Sequence, residues 1–256
     1  MGARNQWVDF ETVTLGGHRI AAASRADLAA AMAADCRGAR TGANWPRLVF
    51  DVNGQGVSLY HSDPVYRAAV DAADLIHADG GFLVGLSRFG RGRRLPERTA
   101  TTDLIHDCAR VAEAEGLRFY LLGGEEDVNA GAARELQRLY PRLVIAGRRH
   151  GFFSPDDELE IIAEINRTKA DVLFVGLGKP KEQVFSIKWR PLLTCGWIVT
   201  CGGCYNYITG AYARAPQLMQ RLGFEWLFRA FTSRRLFWRY LTTNPHALWV
   251  TLRGLL

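Results

Sequence analysis

The residues whose types and spacing best fit chemistry lie in the stretch 73–81, which reads Ala-Asp-Leu-Ile-His-Ala-Asp-Gly-Gly. Leu75 and Ile76 predict a short buried strand, and the two glycines after Asp79 let the backbone turn sharply where that strand ends. Because open α/β sheets bind ligands at the carboxyl ends of their strands, Asp79 is the first candidate for acid–base chemistry. Asp and Gly are also the usual residues of turns, so an ordinary Asp-Gly turn is the alternative interpretation.

Two further predicted strand-to-helix junctions have the composition of anion-binding loops. The first contains Gly123-Gly124, and the second is the run Val-Gly-Leu-Gly-Lys-Pro-Lys at 175–181. Glycines there let backbone N–H groups approach a phosphate at the start of a helix, and Lys179 and Lys181 add positive charge. Neither loop matches the Walker A or the Gly-x-Gly-x-x-Gly pattern, and glycines also occur at such turns without any ligand.

The sequence gives little support to metal or redox chemistry. No Asp-x-Asp triplet occurs and the His residues are scattered, so we expect neither a tight metal site nor a cofactor. Cys201 and Cys204 have the spacing of zinc and redox sites, but a structural zinc would need two more ligands nearby. A strand end that contains two thiols is the preferred interpretation. Five Cys without a secretion signal also indicate reduced thiols rather than disulfides.

The positive charge of the chain is concentrated at its end. Residues 214–256 contain seven Arg and one acid, Glu225, so they carry the whole net charge of +6. Arg residues alternate there with large apolar side chains, which is typical of a helix lying in a membrane interface. A core helix with a solvated basic edge is the alternative. Nucleic acid is disfavoured, because phosphate contacts do not require Trp226, Phe231, Phe237 or Trp249.

Strands and helices that alternate along the chain must position these candidates. Strands are predicted at 48–53, 75–76, 117–122, 143–146, 171–176 and 197–201, with helices between them. Ser24, Asp63 and Ser154 have the residue types of helix N-caps, and Pro follows the last two. This alternation predicts an α/β fold, with a mostly parallel sheet and helices on both faces. We expect a catalytic α/β domain over 1–210 and a helical appendage over 211–256.

No membrane span or leader is expected. The sequence contains no run of 18 or more apolar residues, and its first 26 residues contain no apolar run of signal-peptide length. We therefore expect the catalytic part to be cytosolic, with contact to an anionic surface made by the basic tail.

Several short motifs together resemble the WecG/TagA/CpsF family of bacterial glycosyltransferases, which build cell-surface polysaccharides. The similarity covers roughly residues 46–241. It rests on Asp79-Gly80, Pro96-Glu97-Arg98 before Asp103-Leu104, Leu122-Gly123-Gly124, Tyr140-Pro141, His150-Gly151-Phe152-Phe153, the run 175–181, Arg214-Ala215-Pro216 and Glu225-Trp226-Leu227-Phe228-Arg229. Each motif is short, but their order and spacing together are specific.

The resemblance implies a Rossmann-like fold of the GT-E type and an inverting, metal-independent transfer of a sugar from a UDP-sugar to a polyprenyl-diphosphate-linked saccharide. Asp79 falls on the family's catalytic base. The tail would dock peripherally on the cytoplasmic face of the bacterial inner membrane and complete the site, and a homo-oligomer is compatible with this reading. The residues expected to bind substrate are Asp51, Asn53, Arg98, Gly123, Gly124, Gly178, Lys179, Lys181, Glu182, Gln183, Arg214, Arg229, Arg234, Arg235 and Arg239.

Four departures from the family pattern leave the donor sugar open. Asp51 replaces a Thr, Glu182 and Gln183 are exchanged, a Gly expected near residue 101 is missing, and Asn206 replaces an Asp. Two other functions stay compatible with the sequence: an NAD(P)-dependent oxidoreductase on the same type of sheet, and a non-catalytic membrane adaptor. The oxidoreductase lacks its dinucleotide fingerprint. Binding of UDP, of NAD or of neither would discriminate the three.

Overall fold

The structure, a computed structural model, describes residues 7–42, 45–90, 93–216, 219, 227–228 and 234–254; for 234–236 it describes the backbone alone. The strands are β1 (Thr12–Leu15), β2 (His18–Ala21), β3 (Arg47–Val52), β4 (Leu75–Ala78), β5 (Arg118–Gly123), β6 (Val144–Arg149), β7 (Val172–Gly176) and β8 (Trp197–Thr200). The α-helices are α1 (Arg25–Arg40), α2 (Gly54–Ser62), α3 (Pro64–Asp71), α4 (Gly81–Ser87), α5 (Thr101–Glu115), α6 (Glu126–Leu139), α7 (Glu158–Thr168), α8 (Lys181–Trp189), α9 (Cys204–Ile208) and α10 (Arg234–Arg253).

Six of these strands form a parallel sheet in the order β4-β3-β8-β7-β5-β6, and β1 and β2 form a separate antiparallel hairpin. The chain leaves β3 for the edge strand β4 and then builds β5 to β8 on the other side of β3. The two halves of the fold therefore meet at β3, and a crevice is expected at the carboxyl end of that strand.

Helices cover both faces of the sheet, as predicted. Alternate residues of β7 face opposite sides: Val172 and Phe174 pack with the buried residues of α1 and α5, whereas Leu173 and Val175 pack with those of α7 and α8. Such continuous burial explains why the strands have apolar runs rather than a simple alternation. The predicted α/β architecture, a three-layer arrangement around a parallel sheet, is confirmed.

The predicted helix caps are present. Ser24 and Asp27 form a reciprocal capping box at α1, Asp63 accepts hydrogen bonds from the first backbone N–H groups of α3, and Ser154 caps a short 3₁₀ turn before α7. Sequence reasoning missed α2, however. This helix begins directly after Asn53, whose side chain accepts a hydrogen bond from the N–H of Gly56 and is its N-cap.

The helix α10 packs against α2 by one face. Tyr240, Ala247 and Thr251 are buried there, and the Oγ of Ser58 on α2 lies 2.9 Å from the Nδ1 of His246. The opposite face exposes large apolar side chains: Phe237, Trp238, Leu241, Leu248, Trp249 and Leu252. None of the helices in the described ranges is long and apolar enough to cross a bilayer. The domain boundary at residue 210 stays a prediction.

Candidate active site

Asp79 lies at the carboxyl edge of the sheet, in the turn between β4 and α4. The backbone N–H groups of Asp79 and Gly80 both donate to the carbonyl of Val52, so this turn is bonded to the end of β3. One carboxylate oxygen of Asp79 accepts from Asn53 Nδ2 at 3.0 Å, and the other accepts from the N–H of Thr101 at 3.2 Å. Because Thr101 begins α5, the positive end of that helix faces the carboxylate.

The side chain of Asn53 has a defined orientation. Its Oδ1 accepts from the N–H of Gly56, so its Nδ2 faces Asp79. The N-cap of α2 and the contact with Asp79 therefore depend on the same amide. Asp79 is held on one side by this residue at the end of β3 and on the other by the first N–H of α5. Asp79 itself is only partly buried, so a ligand can reach its carboxylate.

A buried ionic network lies beside this pair. The Nζ of Lys179 is 2.5 Å from Asp51 Oδ2, and Thr200 Oγ1 donates to Asp51 Oδ1 at 3.0 Å. Burial alone would raise the pKa of Asp51, but Lys179, His77 and the two hydrogen bonds hold it below its ordinary value. Burial likewise opposes the charge of Lys179, yet Asp51 and its other neighbours raise the pKa of that ammonium.

Glu182 joins the glycine loop at 175–181 to Gly202, next to this network. Its Oε2 accepts from the N–H groups of Gly178 and Gly202, each at 3.0 Å, and its Oε1 lies 3.7 Å from Lys179 Nζ. Burial raises the pKa of Glu182 to about 7. Gln183 is also buried and donates to Glu182 at 3.3 Å. The N–H of Gly178, predicted to face a phosphate, is therefore bonded to a carboxylate of the protein itself.

The other glycine loop has a packing role. A Cβ on Gly123 would lie 2.2 Å from the carbonyl oxygen of Gly176, so only glycine lets β5 approach β7 this closely. The N–H of Gly124 donates to that same carbonyl at 3.1 Å. Substrate contacts by Gly123 and Gly124 stay predictions, but the structure supplies a reason for both residues that involves no ligand.

Arg98 and Arg214 lie together at the start of α5, where Asp79 accepts a hydrogen bond from Thr101. Both pair with Asp103, at 3.6 and 2.8 Å, and Arg25 approaches the same carboxylate at 3.7 Å. Burial raises the pKa of Asp103, but these three guanidinium groups outweigh that effect and lower it. Two predicted substrate-binding arginines are thus brought to the helix end that holds the candidate base.

The comparison with known families agrees with this geometry. A model of the glycosyl transferase WecG/TagA/CpsF family matches residues 13–256. The chain belongs to the WecG/TagA/CpsF family. It is therefore a glycosyltransferase, an enzyme with a sugar donor and an acceptor, and the oxidoreductase and adaptor interpretations do not hold.

The structure describes the remaining predicted substrate-binding residues of this WecG/TagA/CpsF enzyme less completely. Lys181 is exposed at the first position of α8. Arg239 lies in α10 with its guanidinium 4.9 Å from the ring centre of Tyr240. Arg229 lies outside the described residues, and so do the side chains of Arg234 and Arg235. Their contribution to the site stays a prediction.

His77 is a residue that sequence reasoning missed. It is fully buried in β4, where it is the register partner of Asp51, and its Nδ1 lies 2.9 Å from the carbonyl of Thr99. A carbonyl can only accept, so Nδ1 carries the proton, and burial lowers the pKa of this neutral imidazole. Its position in an apolar run indicated only a strand; the register with β3 was needed to place it beside the acids.

Among the described residues, no group of three or more His, Cys, Asp or Glu side chains could hold a metal ion. Cys201 and Cys204 are buried thiols that are not joined in a disulfide, at the end of β8 and the start of α9. Burial raises the pKa of the Cys201 thiol, which makes it a poor nucleophile at neutral pH. The interpretation of a strand end with two inert thiols is the one that these contacts favour.

Proposed function

We propose that this WecG/TagA/CpsF enzyme transfers a sugar, with inversion, from a UDP-sugar to a saccharide linked to polyprenyl diphosphate. The observation that carries the proposal is the placement of Asp79, a partly exposed carboxylate at the carboxyl edge of the sheet. It is held there by Asn53 and by the first N–H of α5. Those two contacts leave the carboxylate oriented for a proton that arrives from a bound hydroxyl.

In the proposed reaction the acceptor hydroxyl oxygen attacks the anomeric carbon of the donor. Its proton passes to Asp79 as the new C–O bond forms, and the bond from the anomeric carbon to the diphosphate breaks with its electron pair on UDP. The leaving diphosphate then requires positive charge. Arg98 and Arg214 beside the start of α5, and Lys181 at the start of α8, support a scheme in which the protein provides that charge without a metal ion.

Asp79 is a better candidate for the base than its acidic neighbours. Asp51 and Glu182 are buried, and both face the ammonium of Lys179. Lys179 outweighs burial and lowers the pKa of Asp51, whereas Glu182, whose pKa burial raises, has no exposed surface through which an acceptor hydroxyl could approach. The hydrogen bonds to Asp79 come instead from neutral groups, an amide and a backbone N–H.

We further propose that α10 docks the enzyme on the cytoplasmic face of the inner membrane. Its exposed apolar stripe runs from Phe237 to Leu252, and Arg239 and Arg253 flank the stripe at helical spacing. Such a face fits the boundary between lipid tails and phosphates, with the arginines near the phosphates. Docking would bring the site to the surface where a polyprenyl-linked acceptor resides.

Transfer is tested by incubating the protein with a panel of UDP-sugars and a short-chain prenyl-diphosphate glycoside, with and without EDTA. The expected result is one preferred donor, an inverted linkage in the product and turnover unaffected by EDTA. Calorimetry should show binding of UDP but not of NAD. A retained configuration, or turnover that EDTA abolishes, would overturn the corresponding part of the proposal.

Docking is tested by co-sedimentation with phosphatidylglycerol vesicles. Replacing Trp238, Leu241 and Trp249 together by Ala should release most of the protein, because these side chains provide the exposed apolar area. Leu159→Ala is the matched control, since Leu159 is equally exposed but lies on α7. Equal sedimentation of the triple variant and the control would refute docking through α10.

A further inference from the structure

Lys179 is a cation enclosed at the carboxyl edge rather than one that faces solvent. Its side chain is only 6% exposed, and its Nζ lies between Asp51 and Glu182, at 2.5 and 3.7 Å. On a third side, a Cβ placed on Gly56 would lie 3.5 Å from its Cε. A lysine in this position has its charge compensated inside the protein and is poorly placed to meet a diphosphate that arrives from solvent.

The charge on Asp51 matters because one amide lies between it and Asp79. The Nδ2 of Asn53 is 3.0 Å from Asp79 Oδ2 and 3.5 Å from Asp51 Oδ2. Its orientation is fixed by the N–H of Gly56, so it cannot turn away from either acid. Two ionised carboxylates on one amide repel each other and compete for its protons, unless a cation neutralises one of them.

We propose that Lys179 and Asp51 form a positioning pair. Lys179 neutralises the charge of Asp51, so that the amide of Asn53 donates its hydrogen bond to Asp79 and the Asp79 carboxylate stays available to take the acceptor's proton. This inference rests on the proposed role of Asp79 as base. It assigns Lys179 and Asp51 to positioning rather than to the substrate contacts expected from the sequence.

The pair also accounts for two departures from the family pattern. Asp51 stands in place of a Thr, and Glu182 precedes Gln183 instead of following it. Both carboxylates contact the same lysine. The two departures therefore place two acids on one buried lysine.

Other charges around Asp79 affect the test and must be held constant. They are Asp51 on β3, His77 on β4, Lys179 before α8, Glu182 on α8, and Asp103 with Arg98 and Arg214 around the start of α5. Burial lowers the pKa of His77, so it stays neutral in the neutral and mildly alkaline range. The variants of the pair change only Lys179 and Asp51; Lys181→Met serves as a comparison, and Asp79→Asn is used only to assign a signal.

The experiment compares the pH dependence of kcat for the wild type, Lys179→Met, Asp51→Asn and the double variant. Lys179→Met leaves the charge of Asp51 uncompensated, so kcat should fall roughly tenfold or more. The acid limb of the profile, meaning its low-pH side where kcat rises with pH, should move up by about one pH unit. Asp51→Asn alone should move the acid limb to lower pH. The double variant should return the limb to its wild-type position and recover most of kcat, because a buried pair is replaceable when both charges go.

Lys181→Met is the comparison for direct substrate binding, since this exposed lysine lies two residues away. It should raise the donor KM and leave the acid limb in place. A raised donor KM with an unchanged acid limb in Lys179→Met would overturn the inference. So would a lower unfolding midpoint of Lys179→Met with an unchanged acid limb, because a merely structural role changes stability alone. If Lys179→Met does not fold, Asp51→Asn and the double variant decide: identical acid limbs would overturn the positioning role.

A measurement without turnover separates this inference from the proposed function. Carbon-13 NMR of the Asp carboxyl groups, with the Asp79 signal assigned through Asp79→Asn, should show its titration at higher pH in Lys179→Met and back at the wild-type position in the double variant. Absence of transfer from any UDP-sugar would count against the proposed function alone. An Asp79 titration that ignores Lys179 would count against the positioning pair alone.

Discussion

The amino and carboxyl edges of the sheet, where its strands begin and end, both carry acidic and basic residues, but in different proportions. At the amino edge, three Arg–Asp pairs close the structure: Arg47 with Asp35, Arg40 with Asp171, and Arg190 with Asp74. Each of these acids also accepts a backbone N–H, from Val8, Arg118 and Leu48 respectively. Every carboxylate of this set thus has its own guanidinium and a backbone donor, which is how a buried pair becomes tolerable.

At the carboxyl edge, by contrast, the network built on Lys179 contains three acids for one lysine. Lys179 contacts Asp51 and Glu182, while Asp79 is linked to this group only through the amide of Asn53. Ion pairing at the amino edge therefore holds strands together, whereas incomplete pairing at the carboxyl edge leaves one carboxylate available for a proton. Placement of charge, rather than residue type, separates the structural edge from the edge that carries the candidate base.

The largest expected effect comes from removing the available acid. Asp79→Asn should lower transfer by about 10²- to 10⁴-fold, because the amide cannot take the acceptor's proton. Its free energy of unfolding should change by no more than about 1 kcal/mol, since an amide oxygen can still accept from Thr101. Donor binding by calorimetry should be nearly unchanged. Asp127→Asn, an exposed acid on α6, is the control, and equal activity of the two variants would remove Asp79 from the mechanism.

The same change at the amino edge should affect stability instead. Asp35→Asn leaves Arg47 buried without its carboxylate and weakens the hydrogen bond from Trp197, so unfolding should become easier by about 3–5 kcal/mol. Transfer per folded molecule should stay within about twofold of the wild type. Urea unfolding and active-site titration check the two halves. A loss of turnover comparable to that of Asp79→Asn would erase the distinction between the edges.

What could be predicted from the sequence was mostly local. The strands follow from their apolar runs, and the caps at Ser24, Asp63 and Ser154 from residue type alone. The position of Asp79 at a strand end followed from the same reasoning. The pairs that close the amino edge were not predictable, because their members lie on different elements: Arg40 and Asp171 are 131 positions apart, and Asp35 and Arg47, although only 12 apart, belong to a helix and a strand.

The contacts around the candidate base could not be predicted for related reasons. Gly54 and Gly56 weaken the helical pattern of α2, and Asn53, which the sequence predicts as a substrate contact, is also the cap of that helix. Glycine loops look alike whether their N–H groups face a ligand or the protein. Only the structure shows that the N–H of Gly178 is bonded to Glu182 and that the N–H of Gly124 is bonded to Gly176.

Gly123 and Gly178 differ in how closely the protein packs around them. Gly123→Ala places a methyl group against the backbone of β7 at a φ of +122°, so we expect a loss of about 3 kcal/mol in unfolding free energy. Gly178→Ala meets nothing within 4 Å and incurs only the strain of a positive φ, about 1 kcal/mol. Thermal and urea unfolding measure both. If Gly178→Ala proved the more damaging, the packing explanation for Gly123 would be wrong.

The edges should also differ in how their stability depends on pH. His18 lines a cavity of about 400 Å³ together with Arg47 and Asp74, and burial lowers its pKa from 6.5 to about 4. Its contribution is therefore fully present above pH 6.5 and is lost as the pH falls through 4. Burial raises the pKa of Glu182 from 4.5 to about 7, so its contribution is present below pH 4.5 and is lost as the pH rises through 7.

These opposite slopes can be separated by isosteric changes. His18→Asn should remove the loss of stability that His18 causes between pH 6.5 and 4, and Glu182→Gln the loss that Glu182 causes between pH 4.5 and 7, each on the order of 3 kcal/mol. Gln keeps an oxygen for the N–H groups of Gly178 and Gly202, so the loops should stay joined. Because the two pH windows overlap, each contribution is measured as the difference in urea midpoint between the wild type and the variant, at one-unit intervals from pH 4 to 8. If Glu182→Gln left the profile between pH 4.5 and 7 unchanged, the pKa of Glu182 would be the same in the folded and unfolded protein, and burial would not keep this carboxyl protonated beside Lys179.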